Sequence, residues 1–527
     1  MGTPEESPHT LAPGRLGAAA VTFFALAVTA PIAVLITVVP AAYATGGGPL
    51  VPLSFLALGI VLVVFAPGYA AMANRAPFAG AMYAYVARGL GRPAGIGSAW
   101  LALASYQAIQ LGLYGLVGAA AAPLLRSWFG VSVEWWMVAA GCWLLVTLCG
   151  TIRVEIVGGL IALIVLAEIA VAAGFATANV LDPGAGGLTV GSILPPGPGI
   201  DRSALGLLLA VGVLAFVGFE TTGAYAEESI RPRRDPGLAA YATVAVFALL
   251  LAGASWSLSA GAGADRITGL ARARGSELLF DLAAARLAPW AVTLGRLMLL
   301  TGLLAAILGL HCAMSRYLFA LGRERVLPAG LGRTSRRALA PRAASLTQSA
   351  VAALLLTGAA AVGVTDAPLT GRRLMIAGGA GILVLLILTS VAALLHLNRV
   401  PNGEGAFTRF AAPVLASVTL GALGYLVLRD LAVLFGVPGS SPLRWIVPVA
   451  LAAAFLLGVA HALTVRGARP VIYAGIGQGG VPVVVTPAAP RPESKAEERP
   501  AAEERPSAKD RRPAKEPGAH RPERVQS

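Results

Sequence analysis

Three ionisable side chains sit inside runs that are otherwise almost purely apolar. They are Glu168 in LIVLAEIAVAAG, Glu220 in LAFVGFETTG and His311 in ILGLHCAMSRYL. A carboxyl or imidazole group at membrane depth costs several kcal/mol unless it is paired, protonated or hydrated, so such a residue is by default a functional candidate. Glu168 and His311 carry chemistry suited to moving a proton. Each has a second reading that the residues leave open: Glu168 as a structural hydrogen-bonding acid, His311 as a neutral packing group. A polar stripe accompanies them in SYQAIQLGLYG, where Gln107, Gln110 and Tyr114 fall at i, i+3 and i+7 on one helical face. Such a stripe faces protein or water rather than lipid, either lining a site or bonding between helices.

Two interruptions set the scene for this chemistry. Pro31 follows Thr29 in the middle of VTFFALAVTAPIAVLITVVP, where it removes a backbone hydrogen bond and clashes with the preceding turn. Gly212, Gly218 and Gly223 weaken the run LGLLLAVGVLAFVGFETTG around Glu220. Glycine and proline are common in transmembrane helices as kinks and packing contacts. Here the two interruptions lie five apolar runs apart, as in an inverted repeat whose first and sixth helices are broken at mid-membrane. Unwound backbone at that depth needs surrounding protein or water, and its freed amides and carbonyls become ligands for carboxylate and ammonium groups.

The absences are also informative. The chain has no GxxxxGK[ST] run and no HExxH spacing, so neither a nucleotide motor nor a zinc hydrolase is expected. Cys142, Cys149 and Cys312 lie in apolar context without CxxC pairing, which points to neither metal nor disulfide. The glycine-rich GLGRPAGIG lacks a βαβ context and is not a dinucleotide site. No catalytic constellation, cofactor or metal is expected.

The elements that must position these residues are membrane helices. Hydrophobic residues make up 57% of the 527, charged residues only 13%, and mean hydropathy is +0.75. The apolar residues fall in blocks of about 20 or more, the length that crosses a bilayer. The fold class is an all-α polytopic membrane protein of about 12 transmembrane helices. Spans are expected near 18–42, 50–72, 96–121, 134–150, 154–180, 203–225, 238–260, 291–321, 344–362, 374–397, 410–434 and 445–465. The net charge of +14 suggests no nucleic acid, because the arginines cluster between apolar blocks and in the tail. They favour connections after even-numbered spans, including Arg75, Arg88, Arg92, Arg231, Arg233, Arg234, Arg323 and Arg325. The positive-inside bias then places both termini in the cytoplasm of a multi-pass cell-membrane protein. The first residues, MGTPEESPHTLAPGR, are not expected to form a signal peptide. The organisation expected is a cytoplasmic segment at 1–17, a transmembrane body at 18–466 and a cytoplasmic tail at 467–527. From about 486 onward that tail is too poor in large apolar residues to order.

Three segments together resemble the amino acid–polyamine–organocation (APC) permease superfamily, specifically its bacterial amino acid permeases. FVGFETTGAYAEESIRPRRDPGLA at 216–239 resembles the family's span 6 break and the acidic, then basic, connection that follows. SRYLFALGRERVLPAGLGR at 315–333 resembles its span 8 exit, and APFAGAMYAYVARGLGRPAGIGSAW at 76–100 its connection between spans 2 and 3.

The resemblance implies a 5+5 inverted repeat with broken helices 1 and 6, two trailing helices and alternating access. Carried over, the substrate site comprises Thr29, Ala30, Pro31 and Ile32 with Phe216, Val217, Gly218, Phe219 and Glu220. The span 1 break reads VTAPIAVLIT here, whereas many relatives have glycine-rich sequence at that point. Some proton-coupled relatives carry an ionisable residue, often lysine, near the position of Glu168. The expectation is an amino acid permease, not an enzyme, taking an amino acid or related amine together with protons across the lipid bilayer. In it Gln110 lines the pocket, Phe216 or Phe219 gates it, and Glu168 or His311 carries the proton. The alternatives are an exchanger or polyamine carrier and, from another class, a transport-inactive sensor or scaffold.

Overall fold

The structure is a computed structural model and describes residues 10–184 and 201–480. The tail beyond 480, including the stretch expected to be disordered, lies outside the described residues. Among the described residues there is no β-strand, and Leu16 and Ser229 form an isolated parallel bridge.

Span 1 is two helices, α1 (Ala18–Thr29) and α2 (Pro31–Ala42). With a short continuation of α2 to Gly47, the two halves bend by 42°. Span 2 is α3 (Leu50–Arg75). A short helix α4 (Ala81–Leu90) fills the connection to span 3, which is α5 (Arg92–Phe129). At 38 residues α5 is roughly 57 Å long at 1.5 Å per residue, so it projects well beyond a hydrocarbon core of about 30 Å. Span 4 is the 15-residue α6 (Trp135–Cys149), shorter than that core at about 1.5 Å per residue. Span 5 is α7 (Val154–Leu181).

Span 6 begins as α8 (Arg202–Ala215), breaks, and resumes as a 3₁₀ run, Phe219–Glu228. Span 7 is α9 (Asp235–Ala262). Two further short helices, α10 (Ile267–Arg274) and α11 (Leu278–Ala284), precede span 8, α12 (Pro289–Arg323), whose 35 residues match the long span read from the sequence. Spans 9 and 10 are α13 (Arg342–Ala361) and α14 (Ala367–Arg399). Span 11 is α15 (Ala412–Arg429), followed by one short turn α16 (Leu431–Phe435), and span 12 is α17 (Leu443–Ala468). Residues 467–480, grouped with the tail by composition, form the end of α17, the short helix α18 (Pro470–Gly475) and a glycine turn within the compact unit that holds the spans.

Packing follows from which helices are apolar all round. α1 is surrounded by α7, α9, α12 and the 3₁₀ run of span 6. α5 packs along α14 and α17, and α3 along α9. α17 by contrast leaves Trp445, Ile446, Val449, Leu456 and Leu457 exposed, as a lipid-facing helix should.

The connections after even-numbered spans share one face. Arg75 at the end of α3 forks onto Glu404 between spans 10 and 11, at 2.9 Å from Nε and 2.6 Å from Nη2. Arg399 donates to the Gly89 carbonyl at 3.0 Å. The amides of Arg15 and Leu16 both donate to the Glu228 carbonyl at 2.9 Å, which ties the N-terminal segment to the span 6 exit.

Candidate functional site

The break in span 1 is one residue wide. Ala30 has φ +48, a left-handed conformation that an L-residue adopts at a steric cost. Pro31 explains it: proline disfavours a right-handed helical residue before it, and it suits the first position of a new helix, where no N–H is required. Thr29 turns its hydroxyl back onto the Leu26 carbonyl at 2.7 Å. The amides opening α2 then lack intrahelical partners. One is satisfied from span 5, because Ile32 N–H donates to Glu168 Oε2 at 3.3 Å. Glu168 is 1% exposed and sits against span 8, where a Cβ added at Gly302 would come within 2.1 Å of its Oε1. A carboxylate at a helix N-terminus is favoured by the aligned peptide dipoles.

The break in span 6 is held by its own acid. Gly218 has φ +127 and its amide donates to Glu220 Oε2 at 2.8 Å. The other carboxylate oxygen, Oε1, accepts the Tyr106 hydroxyl of span 3 at 3.0 Å. From span 2, Tyr69 donates to the Glu220 carbonyl at 2.8 Å and accepts Gly223 N–H at 2.8 Å. Thr221 hydroxyl closes the turn onto the Gly218 carbonyl at 2.6 Å. The Gly218 amide and carbonyl, the Glu220 carbonyl and the Gly223 amide are thus taken up by side chains, as a buried backbone requires.

The two breaks meet. A Cβ at Gly218 would stand 2.9 Å from Thr29 N and 3.0 Å from the Val28 carbonyl carbon. Thr29, Ala30, Pro31, Ile32, Phe216, Gly218, Phe219 and Glu220 are all buried, and Val217 partly so. Phe216 packs edge-on to Phe247, and Phe219 edge-on to Phe65. Between these rings and Leu383 and Leu386 of span 10 lies a void of about 10 Å³, which has room for a water and not for an amino acid.

The other sequence candidates hydrogen-bond elsewhere. Gln110 donates to the Ile307 carbonyl of span 8 at 3.2 Å, and its Oε1 accepts from Gln348 of span 9 at 3.1 Å. Gln348 also donates to Gln107 at 2.6 Å. Gln110 therefore joins spans 3, 8 and 9 and hydrogen-bonds neither break. His311 pairs with Ser345 of span 9 at 2.8 Å, and a Cβ at Gly150 would come within 2.5 Å of its Nε2. Of the two candidate proton carriers, Glu168 alone hydrogen-bonds a break.

Several residues escaped the sequence reading. Tyr69 and Tyr106 are tyrosines in apolar helices with no local mark of their role. Glu228 and Arg316 form a buried bidentate pair at 2.5 and 2.8 Å, and the guanidinium lies 4.6 Å from the Tyr225 ring centre. Glu227 receives Arg323 through Nη1 at 2.8 Å and the Ala79 amide at 2.9 Å. The Glu-Glu doublet and the Ser-Arg of span 8 carried that signal, since adjacent acids and an arginine inside apolar sequence require partners. Among the described residues no group of three or more histidines, cysteines or acids is placed to hold a metal ion.

A protein-family model described as "Amino acid permease" matches residues 20–461, from the start of span 1 to near the end of span 12. No curated protein matches the chain. Multiple apolar spans, breaks in spans 1 and 6 that meet at their backbones, and a family match across nearly the whole body agree: the chain belongs to the amino acid permease family of the APC superfamily.

Proposed function

We propose that the chain carries amino acids across the cytoplasmic membrane by alternating access, in symport with protons. Spans 1–5 and 6–10 act as the inverted repeats, residues 18–466 as the transporting body, and the arginine-rich face with both termini lies in the cytoplasm. The single observation that carries this reading is the contact of Gly218 with Thr29, which puts two broken helices back to back. Parting them exposes the N-terminus of α2 and the carbonyl end of α1 to one small ligand bearing both charges.

Glu168 supplies a coupling device. It occupies the Ile32 amide, the group best suited to an incoming carboxylate. Protonation weakens Glu168 as an acceptor and frees that amide, so proton and substrate enter together. Glu220 braces the span 6 turn, and Phe216 and Phe219 close over the ligand. Gln110 supports the wall of the site through spans 8 and 9, and His311 has a packing role beside Ser345.

A second reading is favoured by one feature. Glu168 and Glu220 place two buried carboxylates on the paired breaks, which suits an amine or polyamine cation, carried inward or exchanged. The test is uptake of a radiolabelled amino acid and amine panel into proteoliposomes, with and without an inwardly acidic or alkaline pH gradient. Accumulation of an amino acid driven by a proton gradient supports the first reading. Accumulation of amines alone selects the second, and absence of transport of every compound overturns both.

A further inference from the structure

The residues that follow span 12 are seated in the protein. Arg92 donates to the Ala474 carbonyl at 3.0 Å, and its guanidinium stacks 5.4 Å from the Tyr473 ring centre, with Arg466 at 5.8 Å. Arg88 Nε donates to the Gly477 carbonyl at 3.1 Å. Glu324 Oε1 accepts the amides of both Gly477 and Gly479, each at 3.0 Å. Convergence of nearby N–H groups on one anion needs left-handed backbone, and Gly477, Gly479 and Gly480 have φ of +79, +75 and +73. Side chains are excluded as well. A Cβ would come within 2.9 Å of Ala87 at Gly477, 2.9 Å of Phe78 at Gly479 and 2.7 Å of Arg323 at Gly480. Ile476 between them is 3% exposed.

The seat joins the connection between spans 2 and 3 to the end of span 8, and both hold the span 6 exit, which opens on the alternating-access reading proposed above. Phe78, Ala87 and Arg88 belong to the connection between spans 2 and 3, whereas Arg323 and Glu324 end span 8. Under the turn, Arg323 forks onto Glu227 at the span 6 exit, and Glu227 also takes the Ala79 amide. Opening this face between the span 6 exit and the span 2–3 connection pulls Arg323 from Glu227 or Glu227 from Ala79. The glycine turn bears on both, through Gly480 on Arg323 and Gly479 on Phe78.

We propose that residues 470–480 are a latch: seated, the strap holds the arginine-rich face closed, and unseated, it releases the span 6 exit. The strap is tethered directly to span 12, so its local concentration is high and a few hydrogen bonds suffice to keep it seated. The same small number of contacts lets it open without unfolding the body. The sequence signal is GIGQGG, whose last three glycines, Gly477, Gly479 and Gly480, lie outside every helix.

The test is cysteine accessibility in the full chain, which needs no substrate and so stands apart from the transport reading. In a Cys142→Ala, Cys149→Ala, Cys312→Ala background, one reporter is Ala87→Cys, directly beneath Gly477. The other is Ala224→Cys, buried in the 3₁₀ run of span 6. Both are reacted with a membrane-impermeant maleimide applied to the arginine-rich face. Gly479→Val unseats the turn directly. Tyr473→Ala loosens the strap from outside the spans and serves if the first variant folds poorly. The latch predicts that either variant speeds labelling of both reporters by about tenfold. Faster labelling of Ala87→Cys with unchanged labelling of Ala224→Cys would show a cover that gates nothing. Unchanged labelling of both would show that the strap is not seated. Either result overturns the proposal.

Discussion

Gly218 of span 6 lies against the backbone of Thr29 in span 1, so near that a Cβ would reach to 2.9 Å of the Thr29 nitrogen. Gly218 also holds φ +127, a conformation that side-chain-bearing residues rarely adopt. Conformational strain of about 1–3 kcal/mol and an overpacking cost of about 1–3 kcal/mol then act together on Gly218→Ala. The expected outcome is at least a tenfold loss of uptake in proteoliposomes, with a lowered melting temperature. Gly223→Ala tests the neighbouring contact, where a Cβ would meet Tyr69 Oη at 2.7 Å. There, Tyr69→Phe in the same chain removes the clashing atom and should recover part of the loss.

Glu220 has both carboxylate oxygens engaged inside the protein, by Gly218 N–H and by Tyr106. A brace needs acceptors, whereas a cation ligand needs charge. Glu220→Gln keeps an acceptor for Gly218 and should retain at least a third of wild-type uptake, while Glu220→Leu strands the amide at about 1–3 kcal/mol and should abolish it. Equal and complete loss in both variants would instead assign Glu220 to a cationic substrate.

Glu168 is expected to separate transport from its driving force. Glu168→Gln leaves an uncharged group at the Ile32 amide, the state proposed for the protonated acid. Substrate counterflow should persist within about threefold of wild type, and accumulation driven by a pH gradient should disappear. Retained proton-driven accumulation would remove Glu168 from the coupling role.

The Glu228–Arg316 pair is 1% and 4% exposed, so removing one partner leaves an uncompensated buried charge. Arg316→Met should destabilise the protein by about 3–5 kcal/mol, and Glu228→Leu similarly. The double variant should recover most of the lost melting temperature, because two apolar groups leave no charge behind.

On the arginine-rich face, Arg75 hydrogen-bonds the Glu404 carboxyl and holds it down at about 2, against an ordinary value of 4.5. A carboxyl depressed in the folded state contributes stability that is full above about pH 4.5 and lost as the pH falls towards 2. The group is solvent-screened, so the effect is small. Glu404→Gln should lower the melting temperature by roughly 1–2 °C at pH 7, with the difference narrowing below pH 4.5.

Much of the fold was legible because a bilayer simplifies the reading. Long apolar runs must be helices, and the expected spans fall within a few residues of the observed ones in most of the chain. Span 3 is the main exception: the run read as 96–121 is the middle of a helix that extends from Arg92 to Phe129, past Pro123 and Arg126. The short helices α4, α10, α11 and α18 went unread for a related reason. They lie outside the apolar runs and are formed by packing on the ends of spans.

At the site, the sequence by itself determined where two helices can break and that an acid lies beside one of the breaks. Pro31 and the glycines around Glu220 favour that through covalent geometry, which acts on neighbours in the chain. Only the tertiary structure decided which polar group answers which break: Glu168 reaches the Ile32 amide, while Gln110 and His311 turn to spans 8 and 9. Hydrogen bonds formed 136 residues apart, as between Ile32 and Glu168, depend on helix rotation and depth. Those are set by the packing of all the spans together and leave no local mark on the sequence.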